Sequence, residues 1–264
     1  MFPRKRGTLL DYDLLLNLAT DLGYGLLESG AEIYRVEESI QRLLHAYGVK
    51  QADPFVIPNC IIVSFATPEG KAMTQVRRMP SHGTDVDLLE RYNDLCRRLC
   101  REPLPLEEAR AQLHAIGETR RLYPLPVTLC AYTGASAAFA LFFSGSLRDA
   151  LCAGVCGLAI GLAVTGMTRL HTSLFFKSML GAALSAFIAL VLTYLGIGQH
   201  SERIIIGALM ALVPGIMFTN AIRDVMAGDM VAGISKVADA LLTGVAVALG
   251  TAMALGITRL LWGV

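Results

Sequence analysis

Between Leu122 and Val264 the chain contains five stretches without a single Asp, Glu, Lys or Arg: 122–147, 150–168, 178–201, 204–222 and 240–258. About 20 apolar residues in a helix cross the hydrocarbon core of a bilayer. In lipid every backbone polar group must be satisfied within the protein, and long continuous apolar runs meet that demand as helices. The sequence therefore predicts five transmembrane helices, at about 124–144, 150–168, 176–196, 203–222 and 236–258. The charges divide in the same way. Residues 122–264 hold only 7 of the 23 Lys and Arg and 5 of the 22 Asp and Glu, in a chain that is 54% hydrophobic. The expected class is an α-helical membrane protein, with a small N-terminal α+β cytoplasmic domain at 1–121 and a five-helix transmembrane bundle at 122–264.

Orientation is read from Lys and Arg in the short loops. With the N-terminal domain inside, the inner flanks carry Arg120, Arg121, Arg169, Lys177, Arg223 and Lys236, and the outer flanks Arg148, Arg203 and Arg259. This bias predicts a cytoplasmic domain and a C-terminus outside. The basic start M-F-P-R-K-R-G-T is not followed by an apolar signal core, so a cleaved signal is not expected to export the polar part. A net charge of +1 argues against nucleic acid as a partner. Tyr123, Phe175, Phe176, Tyr194 and Trp262 fall near predicted helix ends, where interfacial aromatics sit. Gly134/Ala138, Gly157/Gly161 and Gly181/Ser185/Ala189 form four-residue ridges that allow close helix packing.

In the polar part, Asp11 is a plausible cap for a helix with a Leu14, Leu15, Leu18, Leu22, Leu26 stripe that runs to about Ser29. Ser29-Gly30 reads as a break. A second helix carries Ile33, Val36, Ile40, Leu43 and Leu44 and ends at Gly48. Phe55–Thr67 reads as one strand, with Pro58 as an edge or bulge signal, and Lys71–Met79 as the returning strand after a Pro68-Glu69-Gly70 turn. Thr84 or Asp85 caps a helix from Val86 to Arg101, and a short helix follows from Leu106 to Ile116.

Val213–Asp229, V-P-G-I-M-F-T-N-A-I-R-D-V-M-A-G-D, is the most informative stretch for function. Pro214 removes a backbone donor and Gly215 adds conformational freedom, so an apolar helix bends or breaks there. Asn220 then lies one helical turn from Arg223 and Asp224, with Gly228 and Asp229 just beyond. Broken helices with polar ends build solute and ion sites in transporters. The plain alternative is a kinked helix that ends at the membrane surface with Arg223 and Asp224 solvated or paired with the polar domain. Lys236 and Asp239, three apart, are candidates for an interfacial pair. In the polar domain, Glu28, Arg35 and Glu37 could cluster around the bend, with His82 and Asp85 joining them; the alternative is a solvated charged face.

Six cysteines, Cys60, Cys96, Cys100, Cys130, Cys152 and Cys156, read as isolated reduced thiols, since no spaced His or Cys completes a zinc set. No metal site and no cofactor are expected. The sequence holds no G-x-S-x-G, H-E-x-x-H or phosphate-binding glycine loop.

Three motifs resemble the threonine/serine exporter family: E-S-G-A-E-I-Y-R-V-E at Glu28–Glu37, H-G-T-D-V-D-L-L at His82–Leu89, and P-G-I-M-F-T-N-A-I-R-D-V-M-A-G-D at Pro214–Asp229. They place Glu28, Ser29, Gly30, Arg35, Glu37, His82 and Asp85 in the N-terminal motifs. Pro214, Gly215, Asn220, Arg223, Asp224, Gly228 and Asp229 fall in the membrane motif. The closest branch resembles the stand-alone first half of that family. The resemblance implies a non-enzymatic secondary exporter subunit in the inner membrane, driven by the proton-motive force or working as an antiporter. Its cargo would be a small metabolite, threonine or serine or a dicarboxylate such as succinate. Full-length members continue with further helices where this sequence ends, so the resemblance also implies a small membrane protein similar to the second half, in an oligomeric assembly. Within it, Asn220 would bind solute polar groups, Arg223 a carboxylate, and Asp224 or Asp229 the coupling proton. Two rival readings remain at this stage: a membrane-anchored hydrolase centred on Glu28, His82 and Asp85, and a non-transporting regulatory subunit.

Overall fold

The computed structural model describes residues 10–80, 83–120, 123–170 and 172–262. The chain divides into two compact units. The first takes the described residues of Met1–Arg121 together with Asn220–Lys236, and the second Leu122–Thr219 and Val237–Val264.

In the first unit, α1 (Tyr12–Glu28) starts where Asp11 accepts the Leu14 N–H at 3.0 Å. Its Leu15, Leu18, Leu22 and Leu26 are buried against Ile33, Val36, Ile40, Leu43 and Leu44 of α2 (Ile33–Ala46). Gly48 closes α2 with a φ of 93°, a region that favours glycine. Three antiparallel strands follow in the order β1-β2-β3: β1 (Ala52–Ile57), β2 (Cys60–Ala66) and β3 (Ala72–Arg78). This corrects the single strand expected over Phe55–Thr67. Ile57 pairs with Cys60, so Pro58 and Asn59 are the two-residue turn between strands. A proline costs nothing at a turn position whose N–H no strand needs. Ile61, Val63 and Phe65 alternate inward along β2 and close the core. Asp85 accepts the Leu88 N–H at 3.2 Å and starts α3 (Val86–Arg101); α4 (Leu106–Glu118) completes the N-terminal part.

The second unit is built from α5 (Leu125–Phe142), α6 (Leu147–Arg169), α7 (Leu174–Tyr194), α8 (Ser201–Leu209), the start of α9 (Gly215–Ala227) and most of α10 (Met230–Trp262). Among the described residues four helices are long and apolar enough to cross a membrane: α5, α6, α7 and α10. The fourth expected helix, 203–222, is not one helix. It is divided into α8 and α9, separated by the non-helical residues 210–214, so Pro214 sits immediately before a helix start, where its missing N–H is an orphan in any case. The fifth expected helix is longer than the span assigned to it. At 33 residues α10 is roughly 50 Å long, beyond the thickness of a hydrocarbon core.

One end of this unit is tied by Asp149. Its carboxylate accepts the Ser146 N–H at 3.0 Å, the Gln199 N–H at 2.7 Å and the His200 N–H at 3.0 Å, and meets His200 Nδ1 at 3.0 Å. The α5–α6 and α7–α8 turns are thereby joined. Tyr194 stacks on Trp262 at 4.6 Å, which brings the end of α10 to the end of α7. Close approach of helices follows the small residues in part. A Cβ on Gly157 would lie 2.5 Å from the Tyr132 carbonyl, and one on Gly207 2.7 Å from the Ala140 Cα. Gly134, in contrast, meets nothing within 4 Å, so the α5 ridge does not pack through it. All six cysteines are free thiols.

Candidate functional site

Asn220 lies one helical turn from both Arg223 and Asp224 on α9, within the first unit, and the three reach the α1–α2 loop and the start of α2. The backbone there is prepared by a tight loop. Ser29 Oγ donates to the Gly25 carbonyl at 2.7 Å and ends α1. Gly30 follows with a φ of 94°, and a Cβ at this position would lie 2.7 Å from the Gly83 carbonyl oxygen. Gly83 N–H donates to Glu28 O at 3.1 Å, and Asp85 N–H to Ser29 O at 3.0 Å. Two of the sequence motifs are thus laced together through main chain.

Onto this loop the side chains of α9 converge. Asn220 Nδ2 donates to Gly30 O at 3.4 Å. Arg223 Nη1 donates to Glu32 Oε1 at 3.0 Å. Asp224 Oδ1 accepts the Ile33 N–H at 3.1 Å, one of the unpaired donors in the first turn of α2. Its other oxygen accepts from Lys236 Nζ at 2.6 Å. Asp224 is 0% exposed and Lys236 is buried beside it. The positive end of the α2 dipole thus lies at this carboxylate. Arg223 differs: 57% of its side chain is exposed, and Glu32 engages it on one side only. Glu32 also meets Arg35 Nε at 3.3 Å through its second oxygen, so one buried carboxylate serves two guanidinium groups.

Gly228, with a φ of 100°, turns the chain between α9 and α10. The hairpin that results is tight, since a Cβ on Gly233 would lie 3.0 Å from the Ala221 carbonyl. That closeness is what carries Lys236 back to Asp224. Asp229 is half-buried at the turn, and its N–H donates to Asp224 O at 2.9 Å. Burial raises the Asp229 carboxyl above its ordinary value, with the Asp224 charge adding to the shift and Lys236 opposing it. Glu37 accepts the Val56 N–H at 2.8 Å, and burial raises its carboxyl too.

The other sequence candidates separate. Asp85 caps α3 with one oxygen and pairs with Arg120 Nε at 3.1 Å through the other. Both of its acceptors are therefore in structural use. Glu28 lines a small cleft with Asp21, Arg77 and Tyr92. His82 lies outside the described residues. Pro214 and Gly215 belong to the second unit and stand at the α8–α9 break. Lys236, a candidate at the start of the last predicted helix, donates to Asp224. Sequence reasoning missed Glu32 as an acceptor and Lys236 as the counter-ion of Asp224. Glu32 was legible, as an acidic residue in the N-terminal motif. Lys236 was not, because only the α9–α10 turn brings it back.

A sequence model of the family described as "Putative threonine/serine exporter" matches residues 17–258. A protein of Mycobacterium tuberculosis named "Probable threonine/serine exporter" is 24% identical over 247 residues, which cover 93% of this chain and 46% of the relative. The chain thus spans about half the length of the curated relative it matches. No solved structure matches it.

Proposed function

Because this chain belongs to the threonine/serine exporter family, we propose that it is a subunit of a secondary exporter that moves threonine, serine or a small dicarboxylate out across the inner membrane. The observation that carries this reading is the asymmetry of Arg223. Its guanidinium is held by Glu32 at one edge and is otherwise open. A substrate carboxylate has the same shape and charge as Glu32 and can replace it in a bidentate fork. Asn220, one turn away, supplies an amide for the solute's polar groups.

Coupling is assigned to the Asp224–Lys236 pair. A proton on Asp224 would remove the partner of a buried ammonium, and an unpaired buried charge is strongly unfavourable. The α9–α10 hairpin would then have to admit water or move. Acidic residues near membrane depth commonly carry coupling protons. The N-terminal domain, residues 1–121, would lie in the cytoplasm, in keeping with the Lys and Arg bias, and α8 with the start of α9 would together make the fourth of five crossings, which puts Asp224 near its inner end. The second-half partner is proposed because the relative carries a further half that this chain does not match.

The test is efflux of radiolabelled threonine, serine and succinate from cells carrying this chain, with and without a second-half protein, before and after an uncoupler. Efflux that needs the gradient and falls at least tenfold in Arg223→Lys, at normal protein abundance, supports the reading. Unchanged efflux in Arg223→Lys would sink the assigned role of this residue.

A further inference from the structure

Away from the α9 contacts, the N-terminal part of the first unit carries a cleft of about 540 Å³ between α2 and α3. Its lining is two facing helical stripes. From α2 come Arg35, Glu38, Ser39 and Arg42, and from α3 Asn93, Cys96, Arg97, Cys100 and Arg101. These spacings of three and four residues put each set on one face of its helix. Four guanidinium groups therefore surround a concave space that contains one carboxylate.

Arg35 meets Glu32 at 3.3 Å, while Arg97 and Arg101 lack a close carboxylate partner among the described residues. Arg42 is bound to Glu38 at 2.5 Å. Arg97 is 3.6 Å from Asp94, an acid outside the lining. Arg101 has no hydrogen bond or ion pair among the described residues. The net excess of positive charge is held by side chains whose planar forks suit phosphate and carboxylate oxygens. The volume is that of a site for a small molecule.

We infer that the α2–α3 cleft is a binding site for a small soluble polyanion, a metabolite bearing clustered phosphate or carboxylate oxygens, distinct from the exported solute's contacts on α9. Asn93 and Ser39, also in its lining, offer neutral polar groups. Arg35 connects the cleft to the candidate site, because it also meets Glu32, the carboxylate that engages Arg223. A bound polyanion competes with Glu32 for Arg35 and leaves Glu32 to Arg223 alone. This regulatory consequence rests on the proposed role of Arg223; the binding itself does not.

Calorimetry on the full chain in detergent tests the site, with inorganic pyrophosphate, ATP and citrate as probes. The expected result is saturable binding of at least one probe that weakens as chloride is raised. It falls at least tenfold in Arg97→Gln/Arg101→Gln and stays unchanged in Arg110→Gln on α4. Preference for pyrophosphate and ATP identifies phosphate as the recognised group, and preference for citrate identifies polycarboxylate. A second readout uses the unaltered chain. Cys100 lies in the cleft, and the neighbouring Cys96 thiol and the Arg42 charge lower its own thiol below the ordinary value. Alkylation of Cys100, followed by mass spectrometry, should slow at least fivefold under the probe that binds. Absence of saturable binding for all three probes, equal affinity in the double variant, or binding without protection of Cys100 would each overturn the inference.

Discussion

Lys236 Nζ stands 2.6 Å from Asp224 Oδ2, twelve residues along the chain, with both side chains withdrawn from solvent. This pair joins the start of α10 to the end of α9, and its second oxygen joins both to α2. A buried ion pair stabilises little against an apolar replacement, but it becomes expensive when one member is removed.

Asp224→Ala should therefore lower the unfolding free energy of the first unit by about 3–5 kcal/mol, and Lys236→Met should cost less, because the remaining carboxylate keeps the Ile33 N–H. The double variant Asp224→Asn/Lys236→Met should be more stable than Asp224→Ala. Thermal unfolding in detergent checks the order. A double variant no better than the single one would contradict the pairing.

Arg223→Gln and Glu32→Gln should each change stability by only about 1 kcal/mol or less, since more than half of the arginine side chain is solvated and screened. Their effect on threonine efflux should be much larger than their effect on unfolding. The exchange Arg223→Glu/Glu32→Arg should restore stability without restoring efflux. Recovery of both would make the contact purely architectural.

Gly30→Ala should destabilise by about 1–3 kcal/mol or more, because a left-handed backbone and a contact with the Gly83 carbonyl oppose the new methyl together. Gly70→Ala shares the positive φ but meets nothing within 4 Å. It should cost less. Unfolding midpoints of the two variants, compared directly, separate strain from steric overlap.

Burial raises the Glu37 carboxyl above its ordinary value of 4.5, and Asp229 adds to the shift. The folded state then holds a proton more tightly than the unfolded chain. The stability linked to Glu37 is fully present below its ordinary value and is lost as pH rises through its folded value. Glu37→Gln keeps an acceptor for Val56 and should flatten this loss. Unfolding midpoints measured from pH 4.5 to 7 should fall less steeply for the variant than for the parent chain; parallel slopes would rule the effect out.

In the second unit, Gly207→Ala should loosen α8 from α5, where the Ala140 backbone leaves no space for a methyl. Gly244→Ala faces open space within a helix and should be neutral or stabilising by up to about 1 kcal/mol. Detergent stability of the two variants, measured side by side, checks the packing.

Much of the architecture was legible in the chain alone, for physical reasons that are local. Charge-free apolar runs dictate helices at membrane depth, and α5, α6, α7 and α10 are where those runs predict them. Asp11 and Asp85 cap helices because their carboxylates sit one turn ahead of an unpaired N–H. Pro214 breaks the chain because a proline cannot continue a helix. Where the break became a five-residue interruption, and where Pro58 became a turn between two strands, local propensity left several outcomes open and pairing chose among them.

The sequence by itself also determined that Asn220 lies one helical turn from both Arg223 and Asp224, which themselves point about 100° apart, since spacing along a helix is a local property. What they touch was decided only by the tertiary structure. Glu32 is 191 residues from Arg223, and no periodicity connects them. Lys236 lies one helical turn from Asp239, a spacing that says nothing of Asp224. It reaches Asp224 because Gly228 turns the chain and Gly233 lets α10 close on α9. Ion pairs between distant residues are set by how helices pack, and packing is a property of the whole core.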